Sequence, residues 1–592
     1  MEIRFDDRLS GESFGFRGIR EVVEAAEIRE VIPALERVEA EVATGRWAAG
    51  FVSYEAAPAF DDVLTVRPNG NIPGTLPLLW FALCDDRVDP GPVGTGKYEL
   101  GPWQGIESRD RYRRSMDRIQ SHIQAGDTYQ VNYTYQQSAR FRGDPQAFYA
   151  DLLSAQSASY CAYLDTGRFQ ILSASPELFF HRQGNQVACR PMKGTAARGR
   201  WPEEDRALLA ELRTSEKERA ENVMIVDLIR NDLGRVARFG TVQADDLFEA
   251  EQYETVWQLV STVSAELRAG TSTVDLFRAL FPCGSVTGAP KVRTMEIIAA
   301  LEAAPRGVYC GAIGMLTPPG AGTPDASFSV AIRTVTIDKE LGIATYGIGG
   351  GITNDSRVDT EYAEARTKAR VLIRKATDFE LIETIRWESG RGYSFLAEHL
   401  DRLQDSAEYC GFGFSRTQVE RQLRAAADDF PEGLQRVRVS LDEHGQVRVQ
   451  TQELIDSKEP LRIVIDDVPV DPSDWRLFHK TSMRTRYDQA RLRHPEADDV
   501  LLINNNGEIT ESTIANVIVR LDGRWLTPPV SAGCLPGVMR RVLLDKGDIE
   551  EGPILISDLA RAEAVQLINA VRLQVPVFLT GATAPASSET AP

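Results

Sequence analysis

Two pairs of carboxylates and two lysines are the residues of this sequence whose types and spacing could do chemistry. In SEKERAENVMIVDLIRNDLG, Glu218 and Glu221 stand three apart on one helix face, and the same spacing continues to Ile225 and Leu228. The acids therefore extend an inward apolar stripe, and an inward carboxylate needs a partner. The plainer alternative is a solvated first turn, where acids suit the helix dipole. ATYGIGGGITNDS reads as a strand and then a glycine-rich turn, with a helix opening near Thr360 that puts Glu361, Glu364 and Lys368 on one face. Glycine turns and helix N-termini favour anions, so acids beside one fit a divalent ion lying between them and an anion. Mg²⁺ prefers such oxygen ligands. In RPMKGTAARG, Lys193 lies between Met192 and Gly194. It is either a surface lysine in a turn or an amine made nucleophilic by apolar neighbours in a small-residue loop.

The second lysine belongs to a different pattern. Lys480 ends the apolar run LFHKTS, read as a strand, and VLLINNNGEITESTIANVIV reads as a hairpin carrying Glu511 and Asn516. Pro536-Gly537 opens a helix whose free N–H groups could hold a phosphate. Each feature alone also has a plain reading as a surface lysine, a solvated acid or an ordinary cap.

The elements that must position these residues divide near 376. From about 110 to 375, strand-like runs alternate with amphipathic helices, whereas FELIETIRW and ESGRGY begin a new strand and turn. The expected domains are 1–376 and 377–580. The segment 581–592, rich in Ala, Ser, Thr and Pro, has little to bury and is expected to be a disordered tail.

Composition narrows the function. The 592 residues are 43% hydrophobic and 26% charged, as in globular protein. Lys+Arg 67 against Asp+Glu 86 leaves a net charge of −19, which lacks the electrostatic footprint of a nucleic-acid binder. The seven cysteines are dispersed without CxxC, as suits reduced thiols in a cytoplasm. No apolar run approaches a membrane span and the charged N-terminus is unlike a signal peptide. GIGGGI lacks the dinucleotide spacing, and GAPK lacks the phosphate-loop frame.

ASPELF, PMKGT, AENVMIVDLIRNDLGRV, GSVTGAPKVRTMEII, YCGAIGM, IRT and GGGITNDS…TEYAEARTKA occur in one order. Together they resemble the chorismate-utilising enzymes, among them the component I subunits of anthranilate and aminodeoxychorismate synthases. The resemblance implies a two-sheet β-sandwich ringed by helices, with Glu221, Glu361 and Glu364 facing Mg²⁺ and Glu218 in support. Arg333, Lys368, Tyr309 and the backbone of Gly349 and Gly350 would bind carboxylates, and Thr287 would line the pocket. Isochorismate and salicylate synthases carry a water-activating lysine where this chain has Gln130, and an amide cannot be that base. Anthranilate synthases carry Ala at Lys193, whereas aminodeoxychorismate synthases use this lysine as a nucleophile at C2 of chorismate, with Glu177 protonating the departing C4 hydroxyl. A family histidine is Gln258 here, which leaves more of the acid role to Glu177. No amidotransferase Cys–His pair is evident, so ammonia is expected from solution or from a separate glutaminase subunit.

From 379 to 580 the sequence resembles the class IV pyridoxal-phosphate enzymes, whose two-lobed α/β fold often dimerises. The resemblance assigns Lys480 the covalent link to pyridoxal 5′-phosphate and Glu511 the pyridinium nitrogen. It gives the phosphate to Arg402, Gly537, Val538 and Asn569, with Asn516 beside the cofactor. Asn569 in INAVRL is similar to the aminodeoxychorismate lyases. The expectation is a mixed α/β (α+β) chain that makes p-aminobenzoate for folate. The alternatives are an anthranilate-type synthase joined to an aminotransferase, and a C-terminal half that only scaffolds an interface.

Overall fold

The computed structural model describes residues 1–68, 75–105, 107–156, 158–322, 324–368, 372, 379–455 and 459–580, with backbone alone for 366–368. The expected tail 581–592 and the Lys368 side chain lie outside the described residues. The chain divides into two compact units, Met1–Ala197 with Leu209–Ala376, and Arg198–Leu208 with Thr377–Pro592.

The first unit is an antiparallel ribbon of strands. From Gln243–Gln252 its neighbours run Val256–Glu266, Gln186–Arg190, Leu178–Gln183, Ala326–Val330, Ala312–Leu316, Trp47–Val52, Leu79–Val88 and Ser13–Ala25. Ile3–Asp6 pairs with both Ser13–Ala25 and Tyr160–Asp165. It carries the order on through Phe169–Ser175, Thr334–Asp338, Ile343–Ile352 and Gln130–Gly143. The two expected layers are thus one hydrogen-bonded sheet closed over itself. Alternation along the strands makes the layers. Trp47, Ala49, Phe51, Trp80, Ala82 and Cys84 meet Ala162, Leu164 and Ile171 between them. Ala48, Val52, Leu79, Phe81 and Leu83 turn outward onto Val31, Leu35 and Val38 of the helix Ile28–Ala43. Each large side chain buried this way contributes roughly 1.5–3 kcal/mol.

The second unit has two lobes. In one, the antiparallel sheet Gly392–Tyr393, Leu381–Glu388, Leu434–Leu441, Val447–Glu453 packs on the helices Leu396–Cys410 and Arg416–Ala427. In the other, an eight-stranded mixed sheet contains Asp499–Ile503, Ile509–Ser512, Asn516–Leu521 and Ala564–Asn569. The helix Val538–Asp545 packs Met539 and Leu543 on Ile518 and Ile568 of that sheet.

Three local expectations change. The glycines of GIGGGI lie within the strand Ile343–Ile352, opposite Gln136, Thr134, Tyr133 and Asn132, and the turn follows at Thr353. They are there because the strand's face is crowded: a Cβ at Gly347 would sit 2.2 Å from the Tyr309 ring, and one at Gly351 would sit 2.7 Å from Lys193 Nζ. Lys193 itself is in a strand, Met192–Ala197, that bulges against Val256–Glu266 with Gly194 at φ 104. Lys480 follows the short 3₁₀ turn Trp475–Leu477 instead of ending a strand, and its carbonyl accepts the Ile382 N–H.

Candidate active sites

The helix Glu216–Gly234 starts where Ser215 caps it, the Ser215 hydroxyl accepting the Glu218 N–H at 3.3 Å. It buries Ile225, Val226, Ile229 and Leu233. That packing turns Glu218 and Glu221 to the wall of a cavity of about 200 Å³, which Lys193, Glu177, Glu361 and Glu364 also line. Glu361 and Glu364 come from the helix Val358–Lys368, which begins just before the expected start. Tyr309, Arg333, Gly349, Gly350 and Gln258 share the cavity.

Lys193 Nζ lies 3.0 Å from Glu221 Oε2. The Lys193 carbonyl accepts Asn222 Nδ2 at 2.9 Å, and Asn222 Oδ1 accepts the buried Ser261 hydroxyl at 2.7 Å. This brace was not read from the sequence; Asn222 adjoins Glu221, but nothing local marks Ser261 as its partner. Glu218 accepts the Thr195 N–H at 3.2 Å, and burial followed by the nearby Glu221 charge pushes its carboxyl upward. Glu177 is buried between the strands Phe169–Ser175 and Leu178–Gln183, and accepts the Ser285 hydroxyl at 2.6 Å. Burial pushes its carboxyl up to about 7, so near neutrality it can still hold a proton. Arg333 has φ 51 and no carboxylate partner among the described residues. Its guanidinium donates to Gln156 and faces the Tyr253 ring, and desolvation lowers its pKa. A cation so placed suits an anionic ligand.

Two expected residues stand behind the wall. The Thr287 hydroxyl is spent on the Cys283 carbonyl at 3.1 Å, while its neighbours Ser285 and Val286 reach the cavity. Gln130 is 1% exposed, and neither its Oε1 nor its Nε2 has a hydrogen-bond partner. Its Nε2 would lie 2.9 Å from a Cβ at Gly351, the same glycine that Lys193 approaches. The four glutamates suit Mg²⁺ by donor type. They do not converge as a closed cage; the convergent group among the described residues is Asp466, Asp467 and His494, where Asp466 is paired with Arg493. An open oxygen set fits an ion that keeps waters and substrate oxygens in its shell.

The second unit encloses a cavity of about 420 Å³ that gathers Lys480, Glu511, Asn516, Arg402, Gly537, Val538 and Asn569. Burial pulls the Lys480 amine down to about 8, with the Arg402 charge adding to the effect. Burial raises Glu511 to about 7, although it accepts the Tyr487 hydroxyl at 2.8 Å and the Leu535 N–H at 3.1 Å. Arg402 is held by both oxygens of Glu383, at 2.8 and 2.7 Å, and His399 Nδ1 lies 2.7 Å from Glu383 Oε2. Arg402 and then His399 hold that carboxyl far below its usual range against the cost of burial. Gly537 is the N-cap of Val538–Asp545, and a Cβ there would fall 1.8 Å from Asn516 Oδ1. A buried amine, a buried acid and a glycine-floored helix N-terminus beside an arginine fit pyridoxal phosphate. Sequence reading missed Arg436, Arg438, Arg484 and Arg572 on the same cavity. Arg436 and Arg438 alternate with the core residues Val437 and Val439, and this placement shows only once the strand's buried face is known.

Residues 90–374 match the chorismate binding enzyme family and residues 380–578 match amino-transferase class IV. An aminodeoxychorismate synthase of Streptomyces griseus is 46% identical over 276 residues, 46% of this chain and 37% of the relative. Anthranilate synthase component 1 of Methanothermobacter thermautotrophicus is 34% identical over 349 residues, 55% of this chain and 73% of that relative. The crystal structure of anthranilate synthase component I from Streptococcus pneumoniae superposes with TM-score 0.51 at 25% identity, covering 63% of this chain and 90% of that one. The chain belongs to the chorismate binding enzymes and carries a class IV aminotransferase unit. Its matched stretch spans little more than a third of the Streptomyces griseus relative.

Proposed function

We propose that the first unit aminates chorismate at C4 and that the second converts 4-amino-4-deoxychorismate to p-aminobenzoate and pyruvate. The observation that carries this reading is Lys193: its amine is on the wall of a cavity that also holds a buried, protonatable Glu177. Lys193 Nζ adds at C2 of the ring as the C4 hydroxyl leaves, and Glu177 gives that hydroxyl its proton so that it departs as water. Ammonia then bonds to C4 and expels the lysine from C2. Gln130 offers no base for activating water. Mg²⁺, held by Glu221, Glu361 and Glu364 with Glu218 in support, supplies charge neutralisation for the ring carboxylate. Arg333, Tyr309, Lys368 and the Gly349–Gly350 backbone receive the substrate's carboxylates, and ammonia is supplied by a separate glutamine amidotransferase.

In the second unit pyridoxal phosphate supplies an electron sink. Arg402, the Gly537 and Val538 N–H groups and Asn569 hold its phosphate, and Glu511 faces its ring nitrogen. Lys480 Nζ takes the proton from C4 of the amino substrate as the C3–O bond breaks and enolpyruvate leaves. Arg436, Arg438, Arg484 and Arg572 suit a substrate carrying two carboxylates. The reading places the protein in the cytoplasm, without nucleic-acid or membrane partners, and pairs it into a homodimer through the second unit. Among the described residues no helix is long and apolar enough to cross a membrane.

Chorismate, ammonium, Mg²⁺ and pyridoxal phosphate given to the full chain test the reading. Chromatography against authentic isomers should find p-aminobenzoate. Anthranilate, which has the same mass, would favour the anthranilate-type alternative.

A further inference from the structure

The second unit is discontinuous in sequence, because Arg198–Leu208 belongs to it together with Thr377–Pro592. Trp201 packs its ring 5.0 Å from that of Phe478 and joins the cluster of Val470, Leu477, Phe478 and Val500. Arg200 lies over the Trp201 ring at 4.6 Å and donates to the Pro472 carbonyl at 3.1 Å. Arg198 lies 4.4 Å over the Tyr409 ring and donates its Nη2 to the Tyr409 carbonyl at 3.0 Å, while Asp205 accepts its Nε at 2.9 Å and pairs with the same Nη2 at 2.8 Å. Tyr409 stacks at 4.2 Å on His479, which is 3% exposed and sits 3.0 Å from the Ser406 hydroxyl. The two residues immediately before Lys480 are therefore gripped directly by Trp201 or, through Tyr409, by Arg198. Trp201 also lines a cavity of about 390 Å³ with Arg402, Gly537 and Val538, from the far side of the phosphate cradle.

We infer that Trp201 and Arg198 are positioning residues for Lys480: the Arg198–Leu208 segment fixes the Phe478–His479 backbone from which the lysine projects at the cofactor. A side chain preceded by two immobilised residues presents its amine at one place, and loosening them spreads that placement. The inference rests on the reading of Lys480 as the cofactor lysine. It assigns a function in the second unit to residues that lie, in sequence, between Lys193 and Glu218.

The test uses the full chain and the variants Trp201→Ala, Arg198→Ala and Trp201→Phe. Pyridoxal phosphate binding is followed by absorbance titration and by the pH midpoint of the bound band, with ammonium-dependent amination of chorismate measured beside them. Both alanine variants should bind pyridoxal phosphate roughly tenfold more weakly, the scale of a lost buried aromatic or cation–aromatic contact. They should shift the midpoint and leave amination unchanged, and Trp201→Phe should restore both binding readouts. Wild-type affinity and midpoint in the alanine variants would overturn the inference. So would parallel loss of amination and cofactor binding without rescue by Trp201→Phe, which marks a general folding role. Failure of the unaltered chain to bind pyridoxal phosphate would sink the cofactor reading instead.

Discussion

Lys193 Nζ and Glu221 Oε2 are 3.0 Å apart, which places the candidate nucleophile and a candidate metal ligand in one ion pair on one cavity wall. The carboxylate that holds the amine in this arrangement is also one of those proposed to face Mg²⁺. Chelation of Mg²⁺ should therefore abolish chorismate amination while leaving the absorbance of bound pyridoxal phosphate intact. Glu361→Gln should raise the Mg²⁺ concentration needed for half-maximal amination by 10-fold or more, on the order of one lost charged ligand. An Mg²⁺-independent amination would contradict the assignment of these glutamates.

Among the carboxyls that burial raises in the first unit, Glu177 is the one that lines the cavity beside Lys193 with a shift to about 7. Burial pushes its carboxyl up to about 7, and the proposed acid role requires it to be protonated. Amination should fall as pH rises through about 7, and Glu177→Gln should lose roughly 10²–10⁴-fold and flatten that limb. An unchanged alkaline limb in Glu177→Gln would assign the titration elsewhere. The same shift has a stability sign. A carboxyl whose folded value is raised holds its proton where the unfolded chain has released it. The folded form is thus disfavoured as pH climbs from the ordinary range near 4.3 to about 7.

Lys480 gives the second unit the opposite signature. Its amine, pulled down to about 8 by burial and then by Arg402, reacts with an aldehyde only when neutral. The rate of pyridoxal phosphate capture by the apo chain should rise with pH and level off above about 8. Lys480→Ala should remove the lysine-dependent absorbance band without lowering amination. A band that survives this substitution would place the covalent link on another residue.

Glu383 ties the stability of the second unit to pH through its pairing with Arg402 and His399. Arg402 and His399 depress its carboxyl well below the ordinary value, so the pairing stabilises the fold above the unfolded range and is lost as pH falls below it. Glu383→Gln should cost about 3–5 kcal/mol, as expected when one partner of a buried ion pair is removed. It should also flatten the loss of stability on acidification below about pH 4.3, measured by denaturant unfolding across pH.

Much of both sites was legible because their residues sit in periodic or punctuated segments. Glu218 and Glu221 could be placed on one face from helix spacing, and Ser215 before them is the cap that starts the helix. Glu511 followed from the hairpin signal of Asn504–Gly507, and Gly537 from the Pro-Gly start of its helix. The glycines at 347–351 were misplaced in a turn because glycine usually signals one. Here they clear a strand face for Tyr309, Lys193 and Gln130, a crowding that exists only after distant strands pair. The grip of Trp201 on Phe478 was hidden for the same reason, since 277 positions separate them. Arg436 and Arg438 reach the second cavity from the strand Leu434–Leu441, so their placement depends on which face of that strand is buried, whereas Arg484 and Arg572 come from segments outside strands that only the folded chain brings there.

The most direct test is to quench the full chain after mixing it with chorismate and Mg²⁺ in the absence of ammonia, then measure intact and peptide masses. The account predicts a covalent adduct of one chorismate less one water on the Lys193 peptide. It should be absent from Lys193→Ala and discharged by ammonium to 4-amino-4-deoxychorismate. Unmodified Lys193, together with undiminished ammonium-dependent turnover in Lys193→Ala, would contradict it.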